Sequence, residues 1–203
     1  MNNGRKAIVL TIMRATLMLI CLSASVRSQV EMQEDETTDP DCLIALDAIA
    51  SPAPRFEDYA TKSIWAKKPA WVDLASDPDA PRFRTVLSNG AKLGPNFASS
   101  YTIVAWGCGT SCLDLMVVDA RSGKVYATPD ITAISTTYVA DSMGHTAGMN
   151  DEFTGLRFRR DSSLLVVLGA AGANERGNGA AFYYWTGLNF SLLKFIPRSQ
   201  ACR

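Results

Sequence analysis

The sequence predicts a mainly β fold: an antiparallel meander forming a small sandwich or barrel, with one short helix and a Pro-rich N-terminal wrap. Three observations carry that expectation. From Tyr101 onward, short runs of β-branched and aromatic residues recur, bounded by Gly, Asn, Asp and Ser. Most neighbouring runs are joined by connections short enough for hairpins. Of the five cysteines, the four beyond the N-terminal apolar run, Cys42, Cys108, Cys112 and Cys202, are spaced so that they can staple one domain of roughly this length.

The elements follow in chain order. Ser51 to Pro81 is punctuated by Pro52, Pro54, Pro69, Pro78 and Pro81. Such a segment runs over the surface in extended and turn conformations, and Trp65 and Trp71 are expected to anchor it to the core. A short helix is predicted at Pro81–Ser88, with Phe83, Val86 and Leu87 on one face and Asn89-Gly90 as its stop. Tyr101–Trp106 reads as a strand running into the turn at Cys108–Cys112, and Leu113–Asp119 as the returning strand. Ser122-Gly123 then turns the chain into Lys124–Ala127. Gly155–Arg159 alternates, Asp161-Ser162 turns, and Leu164–Leu168 is apolar throughout, which suits a strand buried on both faces. Ala181–Trp185 and Phe190–Phe195 form a further hairpin around Gly187. The total is about seven strands.

Ahead of this domain stands an export signal. Arg5, Lys6 and Arg14 give a positive start, residues 15–24 an apolar run, and Val26 and Ser28 lie where a signal peptidase cuts, so residues 1–28 read as a signal peptide. The apolar run is about half the roughly 20 residues needed to span a bilayer. No stable membrane span is therefore expected after cleavage, and the expected location is secreted or periplasmic. Residues 29–41 form an acidic leader carrying Glu31, Glu34, Asp35, Glu36, Asp39 and Asp41, too polar to build a core. Residues 42–203 make one disulfide-stapled β domain. The net charge of zero includes the basic residues Arg5, Lys6, Arg14 and Arg27, so the exported chain is acidic while the domain itself is close to balanced. A balanced domain without a basic face offers no case for nucleic acid.

Of the three possible cysteine pairings, position favours Cys108–Cys112, across a turn of small residues, and Cys42–Cys202, across the domain's two ends. The rival is a redox-active Cys108/Cys112 pair. Dithiol enzymes favour two intervening residues at a helix N-terminus, whereas three stand here between strands. With one histidine in the chain, a zinc site has little support and no metal or cofactor is expected.

Candidate binding residues are Asn96, Trp106, His145, Asn174 and Asn178. His145 lies in the long connection Thr137–Phe153, and Asn174 and Asn178 in the connection Ala170–Ala180. Both connections exceed tight turns, and long loops on a rigid β scaffold are where binding concentrates. Asn96 and Trp106 flank the densest local pattern, Gly94 to Cys112. No nucleophile stands at a telling distance from His145 and no Gly-x-Ser-x-Gly elbow occurs, so no catalytic residue is named. Glycoside chemistry would need two carboxylates brought together in space, from Asp114, Asp119, Asp141, Asp151, Glu152 and Glu175. Asp119 and Asp161 read instead as turn formers. Gly169–Asn174 superficially resembles a phosphate loop, but no dinucleotide-type helix pattern follows it.

Phe83-Arg84-Thr85, Gly94-Pro95-Asn96-Phe97-Ala98, Tyr101–Val104, Trp106-Gly107-Cys108-Gly109-Thr110-Ser111-Cys112, Val118-Asp119-Ala120 and Gly123–Tyr126 together resemble a family of uncharacterised secreted bacterial proteins. Members read Gly-Pro-Asn-Phe-Ala-Gly-His-Tyr at the corresponding place. Leu156–Leu168 and Tyr183–Leu193 fit as well, so the resemblance spans most of the domain. It implies export and a β fold and transfers no activity. This chain has Ser99-Ser100 where those proteins carry Gly-His, which removes any site built on that histidine. The expected function is a non-enzymatic binding or inhibitor module of the cell envelope, using loops 140–153 and 170–180 on an extracellular or periplasmic protein or glycan. The alternative is a small cell-wall or glycan hydrolase.

Overall fold

The strands form where the β-rich runs place them. The computed structural model describes residues 41–50, 52–140, 155–172 and 177–202. The signal segment, the acidic leader up to residue 40 and most of the connection 140–153 lie outside the described residues, as do 173–176. β1 (Tyr101–Gly109) and β2 (Cys112–Asp119) form an antiparallel hairpin. β3 (Val125–Tyr126) and β4 (Ile134–Ser135) both pair antiparallel with the other side of β2. β5 (Leu156–Phe158), β6 (Leu164–Gly169), β7 (Gly179–Trp185) and β8 (Phe190–Pro197) follow one another as a second antiparallel sheet. Both sheets are open, so the architecture is a small sandwich rather than a barrel. β4 is an eighth strand beyond the seven expected. Its two residues are too few to show a period.

Strand alternation sorts the side chains into three apolar layers. Ile103 and Ala105 of β1, Leu115 and Val117 of β2, and Leu165, Val167, Ala181, Tyr183 and Trp185 of the second sheet face one another as the inner core. The opposite faces are covered too. Val104, Met116 and Val118 pack under the helical segment with Leu87 and Ala91. Leu164, Val166, Leu168 and Phe182 pack under the N-terminal wrap through Ile44 and Phe56, together with Val139. This double covering is why all six residues of β6 are buried and why that strand shows no polar alternation. Ser135 and Ala170 exchange backbone hydrogen bonds of 2.7 and 3.0 Å, joining the sheets at a corner. The phosphate-loop lookalike at Gly169 is therefore sheet backbone. Gly169 has φ 116° there, and a Cβ would meet the Ser135 carbonyl oxygen, so only glycine fits.

The helix is longer than expected. A 3-10 turn, Ala80–Phe83, leads into α1, Arg84–Lys92. Asn89-Gly90 does not stop it; the chain leaves at Gly94, in the left-handed region with φ 92°, whose N–H bonds the Ala91 carbonyl at 3.1 Å. Leu87 is fully buried against the sheet, worth about 2 kcal/mol. That burial outweighs the local preference of Asn-Gly for a turn.

The wrap is tied to the sheets mainly by its backbone. Thr61 N–H bonds Asp161 O, Ser163 N–H bonds Tyr59 O, Ala70 N–H bonds Ala120 O and Asp73 N–H bonds Gly123 O. Arg159 adds a charged tie, bonding both oxygens of Asp161 at 3.0 and 2.9 Å and Glu57 at 2.7 Å. Those guanidinium bonds hold the Asp161 carboxyl below its ordinary range. Trp65 is half-buried, its backbone N–H donated to Ser99 Oγ at 3.2 Å. Trp71 does not anchor the wrap. It is 89% exposed, because the strap at 70–73 docks through backbone groups and turns this side chain outward.

Candidate binding site

Both expected disulfides are present. Cys42 and Cys202 join the two ends of the domain, with Cα atoms 5.3 Å apart. Cys108 and Cys112 close the tip of the β1–β2 hairpin at 5.1 Å. The register between the strands slips between Gly107 and Gly109, so Cys108 sits in a bulge that aims its sulfur at Cys112. No helix among the described residues is long and apolar enough to cross a membrane. The two disulfides fit an oxidising, extracytoplasmic environment.

Of the five candidate residues, His145 and Asn174 lie outside the described residues. Asn178 is half-buried ahead of β7, and its backbone oxygen accepts the Arg198 N–H at 3.0 Å. Asn96 is occupied by the fold. Its Nδ2 donates to the Ile103 carbonyl at 3.0 Å, and its Oδ1 accepts the Ile103 N–H at 2.8 Å. It lines a groove of about 760 Å³ between α1 and the outer edge of β1. Trp106 lines a different concavity, so the two residues do not converge.

The Trp106 cleft, of about 460 Å³, is where polar and aromatic chemistry meet. Strand alternation sends Trp106 to the helix side of the sheet, as it does Val104. Its indole packs on Phe83, ring centroids 4.5 Å apart and 31° between planes. The Arg82 guanidinium carbon stands over the Phe83 ring, 5.5 Å from its centroid. Asp79 Oδ1 lies 3.7 Å from Arg82 Nη1 in an exposed pair. Asp114 is the cross-strand partner of Trp106 and lines the same cleft, with Thr132 beyond it. Thr128 is part of the wall, its hydroxyl bonded to Leu115 O at 2.9 Å.

Among the described residues, Asp114 is the one carboxylate of the expected hydrolase set that lines this cleft. Asp119 accepts the Arg121 N–H and the Ser122 hydroxyl, both at 3.0 Å, as the turn reading expects. Asp141, Asp151, Glu152 and Glu175 lie outside the described residues. Among the described residues, no cluster of three or more His, Cys, Asp or Glu side chains forms a metal-binding group.

Asp79 and Arg82 are cleft residues that sequence reasoning passed over. An acid three residues ahead of Arg82 and just before a helical turn reads as an N-cap. Asp79 makes no side-chain capping bond, however. Asp77 turns the chain here by accepting the Asp79 N–H at 2.9 Å, which leaves the Asp79 carboxylate to Arg82 and the cleft. The available signal was Asp77 itself, a second acid two residues upstream that competes for the turn role.

Chemically, the arrangement offers an aromatic surface flanked by two carboxylates and a guanidinium. Such a set can stack on the C–H face of a hydroxylated ring while accepting and donating hydrogen bonds at its rim. No known protein family matches this chain, and neither a curated protein nor a solved structure matches it.

Proposed function

We propose that this chain is an exported, non-enzymatic binding module whose recognition site is the Trp106 cleft and whose ligand there is a saccharide unit of an extracellular glycan. The observation that carries this reading is the joint lining of one cleft by Trp106, Phe83, Asp79, Arg82 and Asp114. The disulfides and the export-type leader support an oxidising location outside the cytoplasm. A sugar ring needs an apolar platform for its C–H face and planar polar groups for its hydroxyls, and this cleft supplies both from a rigid sheet and its covering helical turn.

The test is titration of the mature chain with soluble cell-wall and capsular oligosaccharides, followed by calorimetry. Saturable binding is expected, and Trp106→Ala should weaken it at least about tenfold, the loss of one aromatic anchor. Unchanged affinity in Trp106→Ala, or no binding to any glycan offered, would refute the reading.

A second reading, glycan hydrolysis, draws on one observation: Asp79 and Asp114 line the same cleft. Hydrolysis by a carboxylate pair predicts turnover of a bound oligosaccharide that Asp114→Asn abolishes while binding persists. A bound glycan recovered intact after prolonged incubation leaves the non-enzymatic reading standing.

A further inference from the structure

We infer that the surface around Trp71 is a docking site for an anionic lipid bilayer, separate from the Trp106 cleft. A tryptophan that is 89% exposed leaves one of the largest apolar side-chain surfaces in water. The fold holds it there deliberately. The strap at 70–73 is fastened on both sides of Trp71, by Ala70 N–H to Ala120 O at 2.9 Å and Asp73 N–H to Gly123 O at 2.9 Å. A Cβ at Gly123 would stand 1.8 Å from the Trp71 carbonyl oxygen, so glycine is what lets the strap lie flat on the turn. The ring is thus displayed on a fixed backbone and is not left over from a loose end.

The charges around it have one predominant sign. Lys67 and Lys68 precede Trp71 on the same strap, and Arg121 and Lys124 belong to the turn beneath it; all four are exposed. Two acids, Asp73 and Asp119, stand among these four cations and leave the patch net positive. Asp73 Oδ1 accepts the Ala75 N–H at 3.1 Å, and Asp119 accepts two turn bonds. Ile64, 43% exposed, adds a second apolar side chain upstream on the wrap. One exposed aromatic on a strap that carries Lys67 and Lys68 and lies on the turn of Arg121 matches an anionic bilayer on both counts, while the Lys124 ammonium sits over the Tyr126 ring. The ring settles at headgroup depth and the cations remain with the phosphates.

The test uses the mature chain and extruded vesicles of phosphatidylglycerol and phosphatidylcholine in equal parts, against vesicles of phosphatidylcholine alone. Cosedimentation with the anionic vesicles is expected, weakening with added salt, together with a blue shift of tryptophan emission. Neutralising two cations in Lys67→Gln/Lys68→Gln should lower the partition constant roughly 25-fold, about fivefold per charge. Trp71→Ser should lower it and abolish the blue shift. Both variants change exposed positions, and an unchanged urea midpoint verifies that they are folded. Trp106→Ala should partition as the parent does. Equal binding to neutral vesicles, an unchanged partition in Trp71→Ser, or capture by soluble polyphosphate without capture by vesicles would each overturn the inference.

Discussion

The carboxamide of Asn96 bonds both the N–H and the C=O of Ile103, the two groups an adjacent strand would otherwise take on the outer edge of β1. Two residues earlier on β1 the backbone itself takes over, with Phe97 and Tyr101 exchanging N–H···O bonds of 2.9 and 3.0 Å. One side chain thereby finishes a sheet edge that would otherwise invite pairing with another chain. Ala98 and Ser99 follow at φ 41° and 72°, a region that costs a non-glycine residue about 1–2 kcal/mol. Bonds from their N–H groups to Ser162 O and Arg160 O offset that cost. Asn96→Ala is therefore expected to destabilise the fold by about 1–3 kcal/mol, since it leaves a partly buried donor and acceptor unmatched. Asn96→Asp should cost at least as much, because a carboxylate oxygen then faces the Ile103 carbonyl oxygen where the donor stood. Urea unfolding of the purified variants measures both. A cost under about 0.5 kcal/mol for the alanine variant would show that water replaces the amide freely.

At the scale of elements, α1 and β1 are fitted to each other at one glycine. A Cβ on Gly90 would stand 2.8 Å from Val104 Cγ1 and 2.9 Å from Cγ2, and a β-branched side chain on a strand has little room to turn away. Helix propensity alone favours alanine over glycine there by about 1 kcal/mol. Gly90→Ala is nevertheless expected to destabilise, because the helix must lift off the sheet that buries Leu87. In a Val104→Ala background the same substitution should become neutral or stabilising. Equilibrium unfolding of the two single variants and the double variant gives the coupling, and additive effects would contradict the close fit. This contact also explains which elements were legible in the sequence. The hairpin β1–β2, the apolar strand β6 and the hairpin β7–β8 were readable because their period and their turn residues lie within one short window. The end of α1 was not, since Asn89-Gly90 is a local stop overruled by packing against Val104, a residue 14 positions away. β4 is too short to carry a pattern, and Trp71 misled because residue type speaks for burial while the strap's backbone bonds decide which way the ring faces. The cleft was half legible. Trp106 stands out beside the Cys108–Cys112 turn, whereas Asp79 and Arg82 join it only through the 3-10 turn that carries them across the sheet.

At the scale of the whole molecule, the two disulfides do different work because they close loops of different length. Cys42 and Cys202 are 160 positions apart and Cys108 and Cys112 are 4 apart. On the chain-entropy account, the long bridge restricts the unfolded chain by about 5 kcal/mol and the short one by about 2 kcal/mol. The ends of the domain are also held without the bridge. Arg198 Nε donates to Cys42 O at 2.8 Å, the Arg198 guanidinium lies over the Tyr138 ring at 3.9 Å, and Ile44 bridges both Val139 and Cys202. The native termini should therefore stay docked when the long bridge is removed, and its loss should act on the unfolded state. Cys42→Ser/Cys202→Ser is expected to lower unfolding free energy by about 5 kcal/mol with near-native far-UV and near-UV circular dichroism in the absence of denaturant. Cys108→Ser/Cys112→Ser should cost about 2 kcal/mol, with any spectral change confined to the hairpin tip. Urea titrations of both variants beside the oxidised parent give the comparison. If the short bridge proves the costlier to lose, its contribution lies in the native bulge at Cys108 rather than in the unfolded chain. If the long bridge costs under about 2 kcal/mol, the contacts of Arg198 and Ile44 already hold the two ends of the unfolded chain near each other.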